Sequence, residues 1–320
     1  MLYVSPSPHI HSGDSVSKNM LNVLFALIPA FFVALYYYGL GFLIVSTLSV
    51  AACVVVEWLI QKFLLRIPTS ISDGSAILTG VLLAFNLPSN LPPWIVIIGA
   101  IAAIAIAKMP FGGLGNNIFN PALVGRIFLL ISFPAQMTSY PAPSPLSLSY
   151  TDAISSPTIL SLLSAYGTPA LPSPSLAANL LPPHTAGSLG LVGGLALLAG
   201  GIFLLLRKTI SWHIPISTLA TVLAFTAIFH AIDPLTYAHP LIHLFSGGLL
   251  LGAIFMATDY VTSPMTPAGM LLYGFAIGLL TAIIRLFGAY PEGMAFAILI
   301  MNAFTPLINS YTKPKPFGLR

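Results

Sequence analysis

Charge is what this sequence lacks most. Only 6% of its 320 residues are Asp, Glu, Lys or Arg, whereas 57% are hydrophobic. An ordinary soluble domain is about a quarter charged, so a water-soluble fold could not cover its surface with so few charges. The apolar stretches are too numerous for a signal peptide followed by a soluble domain. The sequence therefore predicts a polytopic membrane protein embedded in a lipid bilayer.

Cysteine is almost absent, and several soluble-enzyme motifs are missing. Cys53 is the single cysteine. One cysteine cannot form an internal disulfide, and it cannot hold an iron–sulfur cluster without ligands from another chain. Its place in a hydrophobic run favours a small buried residue over a metal ligand shared between subunits. The chain has no Walker loop and no dinucleotide fingerprint, so we do not expect it to bind NAD or ATP by itself. Its basic residues are scattered singly, which argues against a nucleic-acid partner.

Ten hydrophobic segments can be drawn along the chain, and the third and fifth are too short for a full span of about 20 residues. Pro, Gly or Asn bounds each of these two, which is typical of broken or re-entrant helices. The segments lie near residues 20–38, 39–60, 75–87, 92–107, 120–133, 186–206, 212–231, 240–257, 268–288 and 293–311.

The distribution of Lys and Arg predicts the topology. With ten crossings and the N-terminus inside, all basic residues except Arg126 and Arg285 fall on the inner side or at its edge, as the positive-inside rule requires. The residues on that side are Lys18, Lys62, Arg66, Lys108, Arg207, Lys208, Lys313, Lys315 and Arg320. Residues 134–185 contain no Lys or Arg, which predicts that they lie outside the cell membrane.

The predicted fold is all-α, with about ten transmembrane helices in two inverted five-helix repeats that include short broken helices. We divide the chain into a repeat at 1–133, an outer segment at 134–185, a second repeat at 186–312 and a cytoplasmic tail at 313–320. The stretches 77–84 and 249–256 are similar, which supports the repeat, although Gly- and Leu-rich helices also resemble each other by chance. Such a fold resembles that of urea channels, with function at the repeat interface.

The turn from Gly112 to Pro121 is the densest polar backbone stretch near a predicted helix start. Glycines such as Gly115 let the backbone approach a ligand, and the following helix offers unpaired N–H groups. Asn120 is placed to cap that helix, with Pro121 at its first position. The turn is therefore either a flavin or ion site at an unwound helix, or a tight cytoplasmic turn with a good cap.

Ionisable residues within apolar segments are expensive and commonly functional. Asp73 and Asp259 each lie beside a short helix, one in each half, where they either flank a central site or cap helices. Arg126 lies inside the fifth segment and needs a carboxylate, a phosphate or backbone carbonyls as its partner.

Two further ion pairs are predicted near the ends of segments. Glu57 precedes Lys62 by five residues near the inner end of the second segment, so we expect this pair to form at the inner surface. Glu292 and Arg285 lie near the outer surface and are expected to pair with each other.

The outer segment is rich in Pro, Ser and Ala, which is typical of a disordered linker. Its apolar run Ile159–Leu163 instead favours a short helix packed on the membrane domain, with Ser155 or Ser156 as its first residue. Thr158 falls inside this segment and by itself is an ordinary loop residue.

Several pieces of the chain together resemble one family, the D subunit of the Rnf complex, an ion-translocating ferredoxin:NAD oxidoreductase. The B subunit of the sodium-translocating NADH:quinone reductase is related, but it is typically longer at its N-terminus. The matching pieces are Ser7-Pro8-His9, Ser72-Asp73-Gly74-Ser75-Ala76, Gly112-Gly113-Leu114-Gly115, Phe119-Asn120-Pro121-Ala122, Ala257-Thr258-Asp259 and Val261-Thr262-Ser263-Pro264.

The resemblance implies FMN attached covalently to Thr158 through a phosphoester. Asp152, Ser155, Ser156 and Thr158 fit the family's flavinylation motif, although Pro157 stands where a small residue is usual. A separate flavin transferase makes the ester outside the membrane. Riboflavin held noncovalently, near Gly115 and Asn120, is a second cofactor of the wider group.

The implied function is electron transfer in a multi-subunit translocase, coupled to Na⁺ or H⁺ transport, with no catalysis by this chain alone. The implied partners are a flavin-bearing peripheral subunit, iron–sulfur subunits and other membrane subunits. Asp73, Arg126 and Asp259 are expected near the coupling path. The main alternative is a cofactor-free channel or transporter for a small polar solute, since fold does not decide function. A second alternative is that the chain is a structural anchor for partner subunits.

Overall fold

A computed structural model describes residues 15–148, 150, 155–171 and 193–314. Across these residues the chain is helical, and an isolated β-bridge joins Pro141 and Ser155. Five helical stretches are long and apolar enough to cross a membrane, as far as the described residues extend. The chain is therefore a helical, multi-pass membrane protein, as its composition predicts.

Twelve α-helices are described. The helices of the first half are α1 (Val16–Leu59), α2 (Ser75–Phe85), α3 (Pro93–Ile101), α4 (Pro121–Ser132) and α5 (Pro134–Thr138). Those that follow are α6 (Ile159–Tyr166), α7 (Gly194–Leu206), α8 (His213–Ile232), α9 (Pro240–Phe245), α10 (Leu249–Leu251), α11 (Pro267–Phe287) and α12 (Met294–Tyr311). One-turn π-helices extend α1, α3 and α10 at their C-terminal ends.

Helix α1 consists of two helical parts separated by a sharp bend, which falls at the boundary between the first two predicted segments. It begins at the cap Ser15, whose hydroxyl accepts a hydrogen bond from the Lys18 amide at 3.2 Å. The bend lies at Gly39, which has φ 51° and ψ −130°, a conformation open to glycine only. The Leu40 amide then donates to the Ser147 carbonyl of the outer segment at 2.9 Å. This hydrogen bond links the bend of α1 to the outer segment.

Broken helices occur in both halves. Helix α2 ends at Asn86, and the chain continues through a buried irregular stretch to α3. Helices α9 and α10 are separated at residues 246–248, where Gly247 has φ 67°. Helix α4 has only 12 residues and is capped as predicted, because the Asn120 side chain accepts from the Ala122 and Leu123 amides. Irregular backbone at this depth is tolerated where protein surrounds it.

Small residues allow the long helices to pack closely. A Cβ at Gly274 or Gly278 of α11 would lie within 3 Å of the α8 backbone or its Ser217 and Thr221 side chains. This is the close approach by which membrane helices associate without a hydrophobic driving force. Large side chains such as Phe25 and Phe32 remain exposed on the outer surface of α1, where lipid would cover them.

The outer segment packs on the helix bundle where it is described. Ile159 of α6 forms a small buried cluster with Ala238 and Ile242, the latter on α9. The Ser144 and Leu146 amides donate to the carbonyls of Tyr37 and Tyr36 at 2.9 and 2.7 Å. The described part of residues 134–185 is therefore a docked structure with short helices rather than a linker.

Candidate functional site

Thr158 is the N-cap of α6. It has an extended backbone (φ −75°, ψ 155°), and its hydroxyl accepts a hydrogen bond from the Ser161 amide at 3.1 Å. Threonine favours this position because its side chain satisfies an amide that the first helical turn leaves unpaired. The prediction that Ser155 or Ser156 begins the helix is wrong, since both precede this cap. Thr158 is 7% exposed, so its side chain lies against the bundle.

The residues before Thr158 are held by the outer segment. Ser155 forms the isolated bridge to Pro141, and the Ser156 amide donates to the Tyr140 carbonyl at 2.9 Å. Asp152, the acidic residue of the predicted flavinylation motif, lies outside the described residues.

The surroundings of Thr158 fit a phosphoester. A phosphate on its hydroxyl oxygen would lie at the N-terminus of α6, where the amides of Ile159 and Leu160 precede the first intrahelical hydrogen bonds. A first helical turn leaves its amides without partners inside the helix, and the positive end of the helix dipole favours an anion at such a place.

Arg126 occupies the interior of the bundle and has three polar partners. Its guanidinium donates to the Asn86 side-chain oxygen at 2.6 Å and forms an ion pair with Glu292. The side chain of Tyr140 also lies beside it. The predicted carboxylate partner therefore exists, and it comes from the loop before α12.

The predicted Glu292–Arg285 pair is wrong. Glu292 binds Arg126, whereas the Arg285 guanidinium donates to the carbonyls of His243 and Ser246 at 2.5 and 3.0 Å. These carbonyls are free to accept because α9 ends there and the chain breaks before α10. Neighbouring positions in sequence thus bind different elements in space.

A cavity that is partly open to solvent is lined by residues from both halves of the chain. We call it the inner cavity, because the predicted topology places it towards the cytoplasm. Its lining combines apolar side chains with polar groups that include Asn117, Asn120, Lys108, Thr258 and Asp259. A mainly apolar cavity with a few convergent polar groups is typical of a small-molecule site.

The glycine-rich turn forms the edge of this cavity. Gly112, Gly113 and Gly115 all have positive φ, and no atom lies within 4 Å of the place where a Cβ of Gly115 would sit. Asn120 itself lines the inner cavity, and its amide also donates to the Met256 carbonyl at 3.2 Å. Asn120 therefore both caps α4 and lines the inner cavity.

The three residues expected near an ion path lie in different surroundings. The Asp73 carboxylate accepts a hydrogen bond at 2.8 Å from the amide of Ser75, the first residue of α2. The Asp259 carboxylate accepts from the Val261 amide and the Thr262 hydroxyl, at 3.4 and 3.5 Å, and lines the inner cavity. Arg126 pairs with Glu292, as described above, and has no such place in the lining of this cavity.

A buried ion pair that the sequence pattern did not reveal lies beside the cavity. The Lys108 ammonium donates to Glu57 at 2.7 Å and to the Ser75 hydroxyl at 2.6 Å, and the two charged side chains are 2% and 1% exposed. The predicted Glu57–Lys62 pair is therefore wrong, and the Lys62 ammonium instead lies 4.7 Å from the Trp58 ring centre. The feature of the sequence that could have indicated this pair is Lys108, a lysine at the end of an apolar segment. Cys53 is fully buried, as predicted.

Comparison with known proteins places this architecture in a family. The sequence model of the NQR2, RnfD, RnfE family matches residues 3–318. The chain belongs to that family. Its predicted resemblance to the D subunit of the Rnf complex is confirmed by relatives that it matches almost end to end.

Three of these relatives show the range of the family. The D subunit of the Na⁺-translocating ferredoxin:NAD⁺ oxidoreductase complex of Acetobacterium woodii is 46% identical over 99% of this chain and 96% of its own length. The D subunit of the proton-translocating complex of Clostridium ljungdahlii is 42% identical, with the same coverage. The D subunit of the ion-translocating oxidoreductase complex of Pectobacterium atrosepticum is 40% identical over 98% of each chain. Relatives of similar identity thus carry names with different ions.

Proposed function

We propose that this chain is the D subunit of an ion-translocating oxidoreductase complex of the ferredoxin:NAD type. In this role it is a membrane-embedded electron carrier with FMN on Thr158, and electron flow through it is coupled to Na⁺ or H⁺ transport. The observation that carries the proposal is the position of Thr158, which caps a helix docked on the bundle. A cofactor on this residue would be held against the membrane domain rather than on a free loop.

FMN, when bound, accepts and releases one or two electrons. The chain's own residues hold and orient it. The cap position offers helix amides to the phosphate, and Ile159 anchors α6 to Ala238 and Ile242. Because Thr158 is buried in this arrangement, we expect the flavin transferase to act before α6 packs against α9.

The proposed setting is the bacterial inner membrane, with Thr158 on the outer side. There the flavin would exchange electrons with a flavin-bearing peripheral subunit and with iron–sulfur subunits of the complex. We propose the inner cavity as the place of a second, noncovalent flavin, riboflavin. Its mixture of apolar walls with the Asn117, Asn120 and Thr258 side chains supports this assignment.

Thr158→Ala is expected to abolish covalent flavin completely, because no other residue would carry the ester. The substitution removes one cap hydrogen bond, which costs about 0.5–2 kcal/mol of stability, so the protein should still fold. The measurement is in-gel flavin fluorescence of the denatured chain after co-expression with a flavin transferase. Flavin released into the acid-soluble fraction of the same samples reports the noncovalent cofactor.

Two matched variants serve as controls for this experiment. Thr158→Ser keeps a hydroxyl at the cap and should retain covalent fluorescence, while Thr168→Ala removes a hydroxyl that donates to the Pro234 carbonyl. Absence of covalent flavin from the wild-type chain, beside a flavinylated positive control, would overturn the proposal. It would favour the cofactor-free channel instead.

Neutral replacement of Asp73, Arg126 or Asp259 tests their proposed place near the coupling path. We expect Asp259→Asn to lower the number of ions moved per electron, because this carboxylate lines the inner cavity. The measurement is ion uptake against electron transfer by the whole complex in proteoliposomes. The control is Asp233→Asn, which changes a partly exposed residue just after α8, away from the cavity lining. Full coupling in all three neutral variants would remove them from the path.

A further inference from the structure

Two buried arginines and one carboxylate form a polar cluster inside the bundle, which we call the outer cluster. It consists of Arg126, Arg285, Glu292, His243 and Tyr140. Both arginines are 5% exposed. Glu292 is the one carboxylate in contact with either arginine among the described residues, and it pairs with Arg126. The Arg285 guanidinium makes its hydrogen bonds to the backbone carbonyls of His243 and Ser246, and the Glu292 carboxylate acts on it through space without an ion pair.

Polar atoms in this cluster are left without partners. The Arg285 Nε, the His243 Nδ1 and the Glu292 Oε1 atoms are buried and have no hydrogen-bond partner within the described part of the chain. Buried polar groups are nearly always paired, and an uncompensated buried charge is strongly destabilising. Among the described residues, the outer cluster thus carries one positive charge in excess, and its donor Arg285 Nε has no partner there.

The chain around Thr158 contacts both sides of this cluster. Two residues before it, the Ser156 amide donates to the Tyr140 carbonyl, and the Tyr140 side chain lies beside Arg126. Two residues after it, Leu160 reaches Gly247, where a Cβ would lie 2.7 Å from both Leu160 Cδ1 and Arg285 Nη2. Thr158 is therefore placed between the two segments that lead to the arginines.

We propose that Arg285, together with Arg126, supplies the counter-charge for the anionic phosphodiester carried by Thr158. The inference rests on the proposed function, since it requires the ester. A phosphodiester bears one negative charge, which matches the excess of the outer cluster. Arginine suits this role because its guanidinium stays protonated and its donors match phosphate oxygens. Arg285 is a positioning residue in this proposal and takes no part in the redox reaction.

The proposal predicts that flavin attachment stabilises the protein through Arg285. The full-length chain is produced with and without the transferase, and the melting temperature of each form is measured in detergent. The wild-type protein should melt at a higher temperature when flavinylated. Arg285→Gln should lose this increase, Arg285→Lys should keep it, and Glu292→Gln should enlarge it because the cluster then gains positive charge.

Comparing each variant with its own unflavinylated form removes general effects of the substitution on folding. Arg207→Gln, which changes a cation at the end of α7, should keep the full increase. An unchanged increase in Arg285→Gln, with flavin occupancy verified, would overturn the inference and leave the proposed function intact. If Arg285→Gln does not fold, a Glu292→Gln protein without the enlarged increase overturns it. A wild-type chain without covalent flavin would instead overturn the proposed function.

Discussion

Gly39→Ala is expected to destabilise the folded protein by about 3 kcal/mol or more. Gly39 bends α1 with φ 51° and ψ −130°, and holding an alanine in such a region costs about 1–3 kcal/mol. A Cβ there would also lie 2.0 Å from the Ser147 carbonyl oxygen and 2.8 Å from the Ser147 amide. Since these are backbone atoms, the outer segment must move away, and overpacking adds about 1–3 kcal/mol.

The measurement is the melting temperature and the monodisperse yield of the purified variant in detergent. Gly115→Ala is the matched control, because Gly115 also has positive φ but no atom lies within 4 Å of the added Cβ. The control should lose only the conformational part of the stability. Equal losses in the two variants would show that the contact with Ser147 contributes nothing.

Lys108→Met is the second large expected effect. It leaves Glu57, whose side chain is 1% exposed, as an uncompensated buried charge, which costs about 3–5 kcal/mol. Combining it with Glu57→Met should recover most of the loss, since an apolar pair of similar volume is commonly neutral. The free energy of unfolding of the single and double variants, compared as a double-mutant cycle, gives the coupling between the two residues.

Lys62→Met distinguishes this pair from the one that sequence proximity predicts. Lys62 lies over the Trp58 ring, and an exposed cation–π contact is worth about 0.5–1 kcal/mol. We therefore expect a small effect from Lys62→Met beside a large one from Lys108→Met. The reverse order would mean that Glu57 pairs with Lys62, as the five-residue spacing suggested.

The local features of the chain could be predicted from its sequence. Asn120 and Pro121 mark the start of α4, because the preference of asparagine for N-caps and of proline for the first turn acts within a few residues. The burial of Cys53 and the breaks around the short helices follow from composition in the same way. Thr158 was found only through resemblance to a family, since a threonine before a short apolar run is common.

The ion-pair partners of the charged residues could not be predicted from the sequence. Glu57 binds Lys108 across 51 positions, and Arg126 binds Glu292 across 166. Proximity in the chain predicted a nearby partner for each acid, which was wrong in both cases. A buried charge selects its partner by position in the packed bundle, and nothing in the spacing of residues encodes which helices meet.

By itself, the sequence determined that the protein is helical and embedded in a membrane, because scarce charge and long apolar runs leave the backbone no other solution in lipid. It also determined the family. Only the tertiary structure decided that Asn120 and Asp259 share a cavity and that Arg285 donates to the carbonyls of His243 and Ser246 while Glu292 pairs with Arg126. The reason is that these relations depend on which helices pack together, and helix packing depends on the shape and small residues of many distant segments at once.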